Sequence, residues 1–116
     1  MSIPVSVVML AQNSAGTLDR ALASVRAFDE VVVVDGGSVD ATASIAAAYP
    51  NVVWRVHPFR GFAEQRNFAL RLASHPWCLV LDSDETATPE LVEGIASRRW
   101  EDAPTSLYYV MRTDWF

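Results

Sequence analysis

The chain has 116 residues, room for one compact core and no second domain. With 51% hydrophobic and 20% charged residues it is too apolar for intrinsic disorder. Nine basic against fourteen acidic residues give a net charge of −5, which argues against a nucleic-acid partner held by a basic surface.

All nine basic residues are arginine, so an anionic ligand needs a metal ion or a helix N-terminus to offset the acidic balance. Cys78 is the single cysteine; no intramolecular disulfide forms and no cysteine-based zinc site is expected. Its neighbours Trp77 and Leu79 imply a buried, inert thiol. Met1-Ser2-Ile3-Pro4 places no basic residue before an apolar stretch, and the longest apolar runs, Val7 to Ala11 and Ile45 to Tyr49, are too short to span a membrane. The expected location is cytoplasmic, with peripheral contact at the inner face of the membrane left open.

The first element is a β-branched strand from Val5 to Ala11, with Pro4 at its edge and the turn formers Gln12 to Gly16 after it. Leu18, Ala21, Leu22 and Val25 follow at i, i+3, i+4 and i+7, the stripe of a helix lying on a sheet, with Thr17 as its expected N-cap. Val31 to Val34 is an unbroken β-branched run, as in a strand buried on both faces, and it ends in Asp35-Gly36-Gly37-Ser38. Ala41, Ile45, Ala48 and Tyr49 predict a second helical stripe, stopped by Pro50-Asn51. Val52 to Val56 reads as a third strand and His57 to Gly61 as a loop.

A third helix is expected with Phe62, Ala69, Leu72 and Ala73 on one face. Trp77 to Leu81 then forms a fourth strand that runs into Asp82-Ser83-Asp84-Glu85. After Thr88-Pro89-Glu90 comes a short helix carrying Leu91, Val92 and Ile95, then Arg98 to Pro104, and Leu107 to Met111 reads as a further strand. This alternation implies an α/β fold with a mostly parallel sheet flanked by helices. In such sheets the ligand lies beyond the carboxyl ends of the strands, where the polar loops Gln12-Asn13-Ser14, Asp35 to Ser38, His57 to Gly61 and Asp82 to Asp84 should converge.

Asp82, Asp84 and Glu85 at a strand tip repel one another unless a cation shares them, and Mg²⁺ or Mn²⁺ completed by phosphate oxygens would relieve that repulsion. The alternative is a solvated turn with Asp84 or Glu85 capping the next helix. At Asp35 to Asp40 the glycines permit close approach of a ligand, and Asp35 could accept hydrogen bonds from ribose or a base N–H; equally, Ser38 could merely cap a helix. Arg66 shares the sheet-facing side of the third helix, its guanidinium free for an anion in the crevice or for a salt bridge with an acidic loop. His57 and His75, each followed by proline, have no metal-ligand partner at a suitable spacing and read as loop residues.

Four segments in order, Val5 to Asn13, Val33 to Thr42, Gly61 to Asn67 and the Asp82-Ser83-Asp84 triplet, make the chain resemble the N-terminal half of a family 2 inverting glycosyltransferase with the Rossmann-like GT-A nucleotide-diphospho-sugar-binding fold. The segment Gly61 to Leu70 and Asp82 to Glu85 look particularly like the branch that adds sugars to lipopolysaccharide core. The resemblance implies a single nucleotide-sugar-binding domain over residues 1–116. The donor would be a nucleotide-diphospho-sugar, a UDP-sugar in the first instance, and the acceptor a glycan or lipid. It implies that Ala11 and Asp35 contact the nucleoside, that Arg66 lies near the base or diphosphate and that Ser83 joins the nucleotide site. Asp82 would bind ribose or metal, and Asp84 would ligate Mg²⁺ or Mn²⁺.

Many members carry a second aspartate where this chain has Gly36. The family's catalytic base lies well beyond its DxD motif, and none of Glu101, Asp102 or Asp114 matches the base motif, so a fragment, or a naturally short donor-binding remnant, carrying the donor half of the mechanism is expected. Two other readings compete. One is a non-catalytic nucleotide-sugar-binding module, with Trp100, Tyr108, Tyr109, Trp115 and Phe116 covering a partner surface. The other is a haloacid-dehalogenase-type phosphatase using Asp82-Ser83-Asp84, disfavoured because its motif strand is here the fourth and lysine is absent. A Rossmann dinucleotide site lacks its GxGxxG, and Gln12-Asn13 stands where a receiver domain needs an acidic pair.

Overall fold

Val31 to Val34 are all fully buried, because their strand lies inside a parallel sheet with helices on both faces. A computed structural model describes residues 3–98 and 108–110. Among them are the strands β1 (Ile3–Ala11), β2 (Phe28–Asp35), β3 (Val52–Val56), β4 (Trp77–Val80) and β5 (Tyr108–Val110), and the helices α1 (Leu18–Ser24), α2 (Thr42–Ala47), α3 (Phe62–Leu72) and α4 (Pro89–Ala96). The strand order is β3-β2-β1-β4-β5, and each pairing is parallel. β5 is the described part of the strand expected over Leu107 to Met111; its ends, with Arg99 to Pro104, Trp115 and Phe116, lie outside the described residues.

Period-two alternation divides the core between the faces. Val5, Val7, Met9, Val31, Val33 and Leu79 pack with Leu18, Ala21, Leu22 and Val25 near α1, with Ala46 and Tyr49 near α2, and with Ile95 of α4. Val8, Val32, Val34 and Cys78 point the other way, against Ala69, Phe68 and Leu72 of α3. The stripe of α1 is thus buried as its spacing requires, and Cys78 is the expected inert thiol: burial pushes it up to about 11. No helix among the described residues is long and apolar enough to cross a membrane.

Local expectations fail where loop chemistry overrides propensity. Thr17 occupies the N-cap position of α1 without a side-chain cap hydrogen bond; the Ser14 carbonyl takes the Thr17 and Leu18 N–H groups instead. Ser38 caps no helix. Asp40 receives the Thr42 N–H at 3.0 Å and the Thr42 hydroxyl, so α2 starts at Thr42. The buried stripe is Thr42, Ile45, Ala46 and Tyr49, and the expected members Ala41 and Ala48 are exposed. Phe62, expected to pack, is 69% exposed; the buried stripe of α3 starts one turn later, at Gln65. Neither Asp84 nor Glu85 caps α4: Thr88 does, accepting the Leu91 N–H at 3.1 Å, with Pro89 in the first turn.

Candidate functional site: a cleft at the switch in strand order

β1 pairs with β2 on one side and β4 on the other; the chain runs outward from β1 through β2 to β3 and then crosses back by α3 to add β4 on the far side of β1, which reverses the strand order there. At such a switch point the loops diverge and leave a crevice beyond the strand ends. A cleft of about 480 Å³ opens there, lined by Leu10 to Ser14 and Thr17 after β1, Phe59, Phe62, Gln65 and Arg66 around the start of α3, and Asp82 to Asp84 after β4. Of the residues singled out in the sequence, Ala11, Arg66, Asp82, Ser83 and Asp84 meet in this lining. Asp35 does not.

Asp35 pairs with Ala11 in the ladder and is 1% exposed. Its carboxylate takes the Gly37 and Ser38 N–H groups at 2.9 and 2.6 Å and the Ser38 hydroxyl. Gly37 sits at φ +115°, a conformation glycine adopts without strain. The carboxylate thereby shapes the loop after β2 from beneath.

Hydrogen bonds between loops hold the floor of the cleft. Asn13 donates its N–H to Ser38 Oγ at 2.7 Å and accepts the Val39 N–H on Oδ1 at 2.8 Å. Ser14 donates its N–H to Thr42 Oγ1 at 2.8 Å, and its hydroxyl lies 2.9 Å from that of Ser83. The loops after β1, β2 and β4 are thus tied together by short polar side chains, an arrangement suited to presenting backbone and hydroxyl groups to a ligand.

Of the three acidic residues after β4, Glu85 turns back to accept the Asp82 N–H at 2.7 Å while its own N–H bonds the Asp82 carbonyl at 3.0 Å. That leaves Asp82 and the exposed Asp84 facing the cleft. Among the described residues no group of three or more histidine, cysteine or acidic side chains is placed to hold a metal. Asp82 and Asp84 both line the cleft, and a pair of carboxylate oxygens from them would be what the chain offers a cation there. That suits Mg²⁺ or Mn²⁺, hard ions bound by one or two carboxylates and completed by substrate phosphates and water.

Arg66 faces the same space. Its Nε is buried and has no hydrogen-bond partner, and it forms no ion pair among the described residues, so the salt bridge weighed from the sequence is absent there. Buried polar groups are nearly always satisfied, so this N–H is a candidate donor to whatever enters the cleft. Next to it Gln65 is 2% exposed, its amide spent on His57: Nε2 donates to the carbonyl at 2.7 Å, and Oε1 lies 2.9 Å from Nδ1. The ring of His57 stacks on Phe68 at 4.0 Å, so this histidine is structural. Gln65 and Phe59 were not singled out in the sequence. An amide on the apolar stripe of Phe68, Ala69 and Leu72 was the available signal for the first; an isolated loop phenylalanine gave none for the second.

The model of glycosyl transferase family 2 matches residues 6–114. The chain is 35% identical over 95 residues to the lipopolysaccharide core biosynthesis glycosyltransferase LpsC of Rhizobium meliloti (strain 1021), covering 78% of this chain and 35% of that protein. It is 39% identical over 101 residues to the succinoglycan biosynthesis protein ExoO of the same organism, covering 81% of this chain and 29% of the relative. A further relative, ExoU, is 40% identical over 94 residues. The chain thus spans about a third of the length of these relatives. With a family match over nearly its whole length and the cleft at its sheet switch point, the chain belongs to glycosyl transferase family 2.

Proposed function

We propose that this chain binds the nucleotide-diphospho-sugar donor of an inverting, metal-assisted glycosyl transfer to a saccharide acceptor in the assembly of a surface polysaccharide. The observation that carries the reading is the pairing, in one cleft, of the Asp82 and Asp84 carboxylates with an arginine whose buried Nε has no partner. A net charge of −5 opposes a diphosphate, so a site for one needs local compensation. Arg66 supplies fixed positive charge and planar donors suited to phosphate oxygens. Asp82 and Asp84 would hold Mg²⁺ or Mn²⁺, which when bound offsets the charge developing on the departing diphosphate. The relatives' names, lipopolysaccharide core and succinoglycan biosynthesis, support a growing polysaccharide as the acceptor class.

Inversion requires a base on the face of the sugar opposite the leaving group. The acidic residues weighed for that role, Glu101, Asp102 and Asp114, lie outside the described residues. The donor side can be tested alone. Calorimetry with UDP should show affinity that depends on Mn²⁺, falls about 10-fold or more in EDTA, and falls by a similar factor in Asp84→Asn, since a charge-assisted contact is worth about 1.5–3 kcal/mol. Equal affinity with and without the metal would remove Asp82 and Asp84 from the role of ligands.

A further inference from the structure

Among the described residues, every large hydrophobic side chain that stands exposed lies at one end of the sheet. Val39, Val56, Phe59 and Phe62 are 91, 60, 48 and 69% exposed. Val39 follows β2, Val56 ends β3, and Phe59 and Phe62 straddle the turn into α3, so all four belong to the carboxyl ends of β2 and β3. The loops that carry them are braced. Gly61 turns the chain at φ +115°, the Phe59 and Phe62 rings meet edge to face at 5.0 Å, and Gln65 holds the loop through the His57 carbonyl at 2.7 Å. Phe59 also leans on the loop after β2, where a Cβ at Gly36 would stand 3.3 Å from its own.

The same stretch is the basic part of an acidic chain. Residues 55–62 carry the exposed Arg55 and Arg60 and no carboxylate, although acidic residues outnumber basic ones fourteen to nine overall. Asp40, next to Val39, has its carboxylate turned on Ala15 and Thr42. Glu64 lies two positions beyond Phe62 on α3, a spacing that does not share a helix face, and Asp84 belongs to the loop after β4.

Exposed apolar side chains grouped among cations mark an interaction surface, and aromatic rings beside arginine suit the boundary between lipid headgroups and acyl chains. We propose that this rim docks on an anionic lipid bilayer, with Val39, Val56, Phe59 and Phe62 entering the headgroup boundary and Arg55 and Arg60 meeting lipid phosphates, so that the cleft opens at the membrane surface. Val39 and Val56 favour a bilayer over a soluble saccharide: they offer a sugar neither a hydrogen bond nor a ring face, whereas a bilayer takes them as it takes the rings. Isologous contact with a second copy would bring Arg55 and Arg60 towards their own counterparts, a repulsion that an anionic surface turns into attraction. Docking on this rim is independent of what the cleft holds.

Co-sedimentation of the 116-residue chain with vesicles tests this, using phosphatidylcholine alone and with about a third phosphatidylglycerol. The chain should bind the mixed vesicles, leave the neutral ones and come off the mixed ones as salt rises. Arg60→Gln should weaken binding about 5-fold, the value of one arginine at an anionic surface, and Phe62→Ser about 10-fold. Arg71, exposed in the last turn of α3 at the other end of the sheet, is the control: Arg71→Gln should stay within about 2-fold of the parent. Phe62→Trp should bind like the parent and be quenched by acyl-chain-brominated lipid more than the parent's own tryptophans are. No binding to mixed vesicles overturns the proposal, and leaves the donor reading intact if UDP still binds in the Mn²⁺ calorimetry. Equal losses in Arg60→Gln and Arg71→Gln overturn it too, since general charge and not this rim would then hold the chain. Binding without added quenching in Phe62→Trp overturns it by leaving the rings outside the bilayer. Self-association in solution that Phe62→Ser abolishes overturns it in favour of a second copy as the occupant.

Discussion

The two ends of the sheet solve the same problem in opposite ways. At the amino-terminal edge, Glu30 takes the Ser6 hydroxyl at 2.7 Å, the Ser74 N–H at 2.9 Å and the Ser74 hydroxyl at 2.7 Å, while His75 Nε2 lies 3.1 Å from Asp29. The polar groups there are turned on one another, and the edge is closed. At the carboxyl-terminal edge the loops are also cross-linked, but Arg66 Nε is left buried and unpartnered, and Asp84, exposed, lines the same cleft. One edge spends its polar groups on the fold; the other does so for most of them but leaves Arg66 Nε without a protein partner. A polar residue at a strand end therefore reveals its role by whether its bonds are already made.

Asp35 breaks this division first and by the largest amount. It lies at the open edge, yet its carboxylate is bonded like those of the closed edge, to two N–H groups and a hydroxyl. Asp35→Ala removes a buried carboxylate that holds two N–H groups and a hydroxyl of the half-exposed loop and should cost about 3 kcal/mol of stability, since hydrogen bonds to a charged group contribute about 1.5–3 kcal/mol. Denaturant titration of parent and variant measures it. A loss of nucleotide affinity with unchanged stability would move Asp35 from scaffold to ligand contact.

Arg66→Met sharpens the contrast from the other side. The methionine keeps the stem's packing and removes a guanidinium that has no protein partner at Nε. UDP affinity should fall about 10- to 100-fold, as for loss of a charge-assisted bond, and the melting temperature should stay within about 2 °C. A large drop in melting temperature with unaltered affinity would show that the guanidinium serves the fold.

What the sequence made legible follows the same line. Strands and helices whose burial is set by local spacing, such as Val31 to Val34 and the Leu18, Ala21, Leu22, Val25 stripe, could be read because propensity and periodicity agree there. The meeting of Ala11, Arg66, Asp82, Ser83 and Asp84 was readable from topology, since in a parallel sheet each follows or faces a strand's carboxyl end. Illegible were features decided by the detailed geometry of a loop: the start of α2 depends on Asp40 taking the Thr42 N–H, and the exposure of Phe62 on the buried stripe of α3 beginning only at Gln65.

A smaller effect is expected at the closed edge. Burial of Glu30 works to raise its pKa, but the Ser74 N–H, the Ser6 and Ser74 hydroxyls and the charge of His75 outweigh it and hold the carboxyl below 4.5. A carboxyl depressed in the folded state adds stability above its unfolded pKa and loses it as pH falls through the folded one. Glu30→Gln should therefore cost about 1 kcal/mol at pH 7, a charge-assisted contribution reduced for solvent exposure. It should also flatten the fall of melting temperature between about pH 5 and pH 3. Parallel acid limbs for parent and variant would show that the closed edge draws no stability from this charge.

The smallest effect reports whether that edge opens at all. Cys78 lies in β4 one residue after Trp77, fully buried, with Sγ 3.8 Å from the His75 carbonyl. Its thiol is pushed up to about 11 by burial and by the charge of Glu30. At pH 8 about one part in a thousand is thiolate, and the thiolate is the reactive form, so alkylation must wait for local opening. Glu30→Gln removes a charge that ties Ser6 and Ser74 across this edge; a loss of about 1 kcal/mol in the opening equilibrium speeds labelling about 5-fold. Arg66→Met, at the other end of the sheet, should leave the rate as it is. If both variants labelled at the same raised rate, Cys78 would become accessible only through global unfolding, and the two edges would be parts of one cooperative unit.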